Sequence, residues 1–285
     1  MIDSLRRSLS TRWYLWTIPA ILLVLGVLAY PLFELLSRSF TEADPEWYST
    51  YAAAWNDGFS ITVIFRTVQM AVIVTIVALV LGYPYAYVMT LVSPRTRGIL
   101  TALVLLPFWT SLMARTFAWF VLLQDNGPLN SLLGYIGIGP FHFIGEALGV
   151  TIGMAQLMLP FMVLPLYSTM SRIDHRLGDA AQSLGAPRRT AFWRVYFPLS
   201  MPGVIAGSSL VFIIGLGFYV TPAILGSPQQ SMIAQLIATQ VSTLTNFGKA
   251  GALSLILLVI AGLLLLITSV VVKPSQALGM NEAEE

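Results

Sequence analysis

From Val195 to Gly248 the chain carries no Asp, Glu, Lys or Arg. Few solvents tolerate so long an uncharged run. The spacing of charges elsewhere repeats the message, with 21 uncharged residues between Arg12 and Glu34 and 28 between Arg66 and Arg95. A bilayer core of roughly 30 Å needs about 20 apolar residues per helix. Only 10% of the residues are charged, against about a quarter in ordinary soluble domains. The chain therefore reads as all-α and embedded in lipid.

Charges and prolines divide it into six expected spans, at about 14–36, 63–92, 99–123, 147–170, 203–225 and 250–272. The third is interrupted by Arg115 alone. Residues 1–12 form an N-terminal tail, 13–272 the transmembrane domain with a loop at 171–202, and 273–285 a C-terminal tail. The first run follows Arg6, Arg7 and Arg12, as a signal peptide would. Its apolar core is too long for one and no convincing A-x-A site follows, so it reads as a retained anchor.

Six spans place both termini on one side. With them fall Arg95, Arg97, Arg172, Arg176, Arg188, Arg189, Arg194 and Lys273, whereas the opposite loops hold Arg38 and Lys249 beside Glu42, Asp44, Glu46, Asp57 and Asp125. Lys and Arg near span ends mark the cytoplasmic side. The termini and the 171–202 loop are thus expected in the cytoplasm. Trp13, Trp16 and Trp119 suit interfacial belts. The aromatics of 39–60, including Trp47 and Trp55, suit either a docking partner or packing on neighbouring helices. Residues 231–244 place Ile233, Leu236, Ile237, Gln240, Val241 and Leu244 at helical spacing, which fits a cavity lining or ordinary packing.

Several chemistries are excluded. Without Cys there is no disulfide, thiolate catalysis or zinc–thiolate site, and His142 and His175 are too few for a histidine metal site. A net charge of +2 gives no electrostatic footprint for nucleic acid. No G-x-x-x-x-G-K-[ST] stretch exists to cradle ATP phosphates. The chain reads as a non-enzyme.

One polar segment interrupts this pattern: GDAAQSLGAPRRTAFWRVYFP, from Gly178 to Pro198. Gly178 is expected to break the preceding helix and Asp179 to cap a short new one. Gly185 can adopt the left-handed conformation that ends it, and Pro187 can sit in the first turn of the next. Phe192, Val195 and Tyr196 then share one face. The outcome is a stubby helix of small residues with Leu184 as an apolar knob.

This segment resembles the signature loop of binding-protein-dependent ABC-importer permeases, E-A-A, three residues, G, nine residues, I-x-L-P. Asp179-Ala180-Ala181, Gly185 and Val195-x-Phe197-Pro198 keep that spacing, with three close replacements. Residues 105–133 and 214–226 are similar to the spermidine/putrescine branch, its PotB-like half. The resemblance implies a type I (MetI-like) six-helix permease with a cytoplasmic coupling helix, in a bacterial inner membrane. Its ATPase-coupling residues would be Asp179, Ala180, Ala181, Leu184, Gly185 and Ala186. The implied partners are two ABC ATPase subunits that bind ATP and Mg, a second, PotC-like permease, an external solute-binding protein and membrane lipid. No cofactor is implied in this chain.

For the solute, the resemblance implies a polyamine. Trp109, Arg115, Tyr219 and Thr221 are the candidate passage contacts. Treated as part of a straight helix, Arg115 lies roughly 13 Å below the outer boundary, a depth at which a charge faces a cavity or a partner. It can attract an anionic or zwitterionic solute (carboxylate, phosphonate or opine-like), or pair with the second permease. Gly203, Gly207, Gly215 and Gly217 permit close helix approach. From another class, an ion-coupled secondary carrier remains the alternative, although no mid-membrane carboxylate is present to hold a coupling ion.

Overall fold

A computed structural model describes residues 2–41, 48–174 and 176–277. Glu42, Asp44, Glu46 and Trp47 of the acidic segment and His175 lie outside the described residues, as do the side chains of Arg6, Arg7, Arg12, Trp13, Trp16 and Lys273. In chain order the helices are α1 (Ile2–Thr41), α2 (Ser49–Asn56), α3 (Gly58–Leu91), α4 (Pro94–Leu105), α5 (Leu112–Leu122), α6 (Pro128–Tyr135) and α7 (Ala147–Met170). They continue with α8 (Arg176–Ser183), α9 (Arg188–Ala191), α10 (Phe197–Leu216), α11 (Val220–Leu225), α12 (Ile233–Ser242) and α13 (Phe247–Ala277). Among the described residues five helical stretches are long and apolar enough to cross a membrane, or six if one bent pair counts as a single span.

That bent pair replaces the straight third span. The path turns by 100° between Pro94–Trp109 and Leu112–Leu122. Pro107 has no N–H to return to the carbonyl four residues back. The chain tightens into a 3-10 turn over Leu106–Trp109 and becomes extended at Thr110. The fifth span also differs: a helical stretch runs from Arg188 to Leu216 rather than 203 to 225, passing Pro198 through a π-helical segment at Phe192–Tyr196. Pro198 lacks an amide hydrogen, and the wider turn just before it accommodates the gap in the ladder.

The chain forms two compact units, residues 59–236 with 257–285, and residues 1–58 with 237–256. In the larger unit α7 is the central helix, with Met154, Met158, Met162 and Met170 all buried along it. Unbranched methionine adapts to irregular gaps between helices. The small residues of α10 let it approach α7 closely. A Cβ on Gly203 would lie 2.8 Å from Thr169 Cβ, and one on Gly207 would lie 2.9 Å from Met162 Sδ. Met232, Ile233 and Leu236 of the amphipathic 231–244 stretch are buried, and the Ile233 N–H donates to Thr67 Oγ1 at 2.8 Å, so this part of the stripe is packing. In the smaller unit Lys249 Nζ pairs with Asp57 Oδ2 at 2.8 Å, and the Arg38 guanidinium lies 4.9 Å from the Phe247 ring centroid.

Candidate functional site

α8 begins earlier than the residues suggest. Gly178 sits inside it, and the helix start is held by Asp174, whose Oδ1 accepts from the Arg176 N–H at 2.9 Å. Asp179 is therefore a first-turn residue, not the cap; there its carboxylate faces the positive end of the helix dipole. Gly178 has an ordinary backbone conformation, and without strain to end the helix the chain runs through it.

The C-terminal end is built by Gly185, which has φ +89°. The Gly185 N–H donates to the Gln182 carbonyl at 2.9 Å and the Ala186 N–H to the Ala181 carbonyl at 3.1 Å. These are the paired bonds of a Schellman motif, which satisfies carbonyls that a helix end otherwise orphans. Leu184 stands between them, 90% exposed. A large apolar side chain is thus presented by a fixed backbone. Pro187 is the N-cap of α9, one residue before its first turn.

An aromatic cluster anchors this hairpin to the membrane helices. Phe192 stacks on Tyr196 with centroids 5.7 Å apart and planes 17° apart. Tyr87 of α3 meets both edge-on, at 5.6 and 5.1 Å. Edge-to-face pairs contribute about 0.5–1.5 kcal/mol each beyond the area they bury. One turn away, Ser200 Oγ donates its single proton to the Phe197 carbonyl at 2.7 Å, so Tyr83 donates to Ser200 Oγ at 2.9 Å. Arg97 Nε donates to the Met89 carbonyl at 3.1 Å, holding the start of α4 to the same end of α3. A groove of about 340 Å³ lies beneath α8, with Tyr87, Asp174, Asp179, Gln182, Phe192 and Tyr196 in its wall.

The passage candidates scatter. Trp109 closes the 3-10 turn and is 76% exposed, and Arg115 lies in the first turn of α5, so the two flank the break. That break takes Arg115 off any straight third span, so the roughly 13 Å depth expected for a straight helix does not hold. Arg115 is half-buried, with its Nε enclosed and without a hydrogen-bond partner among the described residues. Tyr219 is partly exposed at the start of α11, which packs against α5 and α7. Thr221 is fully buried, its methyl against the backbone at Gly153, so it packs α11 onto α7.

Sequence reasoning missed Gln156 on α7. Its Oε1 accepts from Trp119 Nε1 at 3.3 Å. An amide inside a 25-residue uncharged run (147–171) was the available signal. Among the described residues no three His, Asp or Glu side chains cluster to hold a metal ion.

Residues 82–273, which contain α8 and the aromatic cluster, match the family model described as the binding-protein-dependent transport system inner membrane component. The spermidine/putrescine transport system permease protein PotB of Haemophilus influenzae is 37% identical over 207 residues, covering 72% of each chain. PotB of Escherichia coli is 34% identical over 207 residues, 72% of this chain and 75% of that one. The inner membrane ABC transporter permease protein YdcU of Escherichia coli is 30% identical over 217 residues, 71% and 69% of the two chains. In fold the chain is similar to a chain in the crystal structure of a bacterial alginate ABC transporter in complex with an alginate pentasaccharide-bound periplasmic protein, with a TM-score of 0.69, 18% identity and 92% and 94% of the two chains covered. The matched stretch takes in every transmembrane helix of the larger unit except most of α3, of which it holds only the last part from Gly82, and on that breadth this chain belongs to the binding-protein-dependent inner membrane components, the permease subunits of ABC importers.

Proposed function

We propose that this permease is worked by a separate ATPase through α8, and that its solute is a polyamine of the spermidine/putrescine kind. The observation that carries the first part is Leu184, an apolar knob 90% exposed at the tip of a short polar helix whose backbone is locked by Gly185. An exposed leucine on a rigid, arginine-flanked hairpin is poorly suited to water and well suited to a groove on another protein. Closure of two ATPases around ATP and Mg moves α8, and the aromatic cluster passes that motion to α3 and α10. In this reading the 171–202 loop and both termini lie in the cytoplasm, as the arginine distribution favours. A second permease of the PotC kind completes the passage, and an external binding protein delivers the solute.

The polyamine assignment rests on the PotB relatives at 34% and 37% identity. Trp109, exposed beside the break, supplies an aromatic face for a cation.

Replacing Gly185 tests the coupling role cleanly. A Cβ there meets no atom within 4 Å, so the only penalty is the left-handed backbone. That penalty is about 1–2 kcal/mol for an ordinary residue and larger for a β-branched one. Gly185→Val is expected to insert normally in the membrane and to lose ATP-dependent uptake of labelled spermidine by the assembled complex. Undiminished uptake overturns the coupling assignment. Uptake of carboxylate or phosphonate solutes in place of polyamines overturns the solute assignment and leaves the coupling assignment standing.

A further inference from the structure

α6 is about 12 Å long, too short to cross a bilayer. It opens close to the end of α5, just past a turn in which the Gly127 N–H donates to the Gln124 carbonyl at 2.8 Å. Its inner face, Leu129 and Leu133, packs on the core around α7. Both polar side chains of the helix are spent on backbone. Buried Asn130 donates through Nδ2 to the Gln124 carbonyl at 3.2 Å and the Phe141 carbonyl at 2.9 Å, and its Oδ1 accepts from the Phe141 N–H at 3.0 Å. Ser131 Oγ donates to the Gly127 carbonyl at 3.0 Å. Further on, the Gly145 N–H donates to the Leu225 carbonyl at 2.8 Å, tying the return path to the end of α11.

The hairpin held in this way has a second apolar side. Tyr135 is 89% exposed, and Leu132, Ile136, Ile138 and Phe141 are exposed with it. No Asp, Glu, Lys or Arg lies between Asp125 and Glu146. His142 Nδ1 and Asp125 Oδ1, 3.0 Å apart and exposed, join the two arms at the base and leave the tip bare of charge. A helix that is apolar on both sides needs apolar cover on both. The core covers one.

The chemistry selects lipid for the other. A protein dock carries a polar rim around its apolar centre. From 132 to 141 the only polar side-chain group is the Tyr135 hydroxyl, which suits the headgroup level. An external protein that docks and departs would also return the patch to water in every cycle, where large apolar patches are rare. Lipid is the neighbouring solvent: α5 exposes Val121 and Leu122, and α7 exposes Leu148, at the ends from which the hairpin springs.

We infer that residues 132–141 form an interfacial anchor, whose Leu132, Tyr135, Ile136 and Ile138 enter the headgroup–acyl boundary of the bilayer. On the orientation that the arginines favour, this is the outer leaflet. Such a segment buries its apolar face about 5–10 Å into that boundary. Through Asn130 and Gly145 the anchor holds the adjoining ends of α5, α7 and α11 at the lipid surface.

The lack of cysteine in this chain gives unique labelling sites. Leu132→Cys, Tyr135→Cys, Ile136→Cys and, at the base, Asn126→Cys each carry a nitroxide in the assembled complex, whose other subunits are freed of cysteine. All four side chains are exposed, so folding does not depend on them. The complex sits in vesicles of phosphatidylethanolamine and phosphatidylglycerol, with and without its binding protein. Collisions with oxygen report lipid, and collisions with a water-soluble nickel chelate report water. The oxygen-to-nickel ratio is expected to be severalfold higher at the three tip positions than at Asn126, whether or not the binding protein is present. A ratio at the tip equal to that at Asn126 overturns the inference. So does a tip shielded from both probes. Shielding only in the presence of the binding protein assigns the face to that protein, and shielding in its absence assigns it to the second permease.

Discussion

Thr221 separates a polar residue from a functional one. Its hydroxyl is fully enclosed and has no hydrogen-bond partner among the described residues, while its methyl fills the space left by Gly153. An enclosed hydroxyl without a partner is destabilising by about 1–3 kcal/mol. Thr221→Val keeps the methyl and removes the unpaired oxygen, so it is expected to raise the thermal midpoint of the purified permease with spermidine uptake unchanged. A severalfold loss of uptake in a stably folded variant would return this residue to the passage. Tyr83 makes the opposite case, because its hydroxyl donates to Ser200, which is itself committed to the Phe197 carbonyl. Tyr83→Phe is expected to lower stability by about 1 kcal/mol, read as a reduced midpoint against native protein. No drop at all would mean that water replaces the phenol without loss.

Single elements were legible to the degree that their chemistry is local. The end of α8 could be read because Gly185, followed by Ala186 and Pro187, carries everything its motif requires. Its start could not, because the side chain that holds it belongs to Asp174, upstream of the stretch that attracts attention. The 100° turn at Thr110–Ser111 was hidden because apolar composition is the same on both sides of it. The Gln156–Trp119 bond was hidden because its partners lie on different helices, 37 positions apart. Close approach of α10 was readable as a glycine pattern, and the geometry now names what each glycine meets. Thr169 Cβ at Gly203 is no flexible tip that can swing aside. Gly203→Val is therefore expected to separate α10 from α7, with a loss of about 1–3 kcal/mol by overpacking, seen as a lower midpoint and a reduced yield of folded permease. Gly207→Ala, facing the flexible Met162 side chain as well as its backbone, is expected to be milder.

At the scale of the whole molecule, the proposed coupling through α8 requires that force applied at one end change the helices that bound the passage. The connection between α8 and the membrane runs through rings: Phe192 and Tyr196 on the stalk, Tyr87 on α3, Tyr83 and Phe197 one turn deeper. Rings packed edge to face resist sliding because their geometry is specific, and the methionine-rich core around α7 beyond them can repack as helices shift. Rigidity beside α8 and adaptability around α7 are the two properties that the proposed coupling requires. Cutting the link should then separate two quantities that normally change together. Phe192→Ala leaves Leu184 and Gly185 untouched, so the assembled complex is expected to bind its ATPase and to hydrolyse ATP at a rate near native. Uptake of spermidine per ATP hydrolysed is expected to fall at least about tenfold, since the variant removes four edge or stacked contacts at once. Hydrolysis and uptake measured in the same proteoliposomes decide it: equal decline in both places the cluster in assembly of the complex, and an unchanged ratio places the transmission of force elsewhere in the chain.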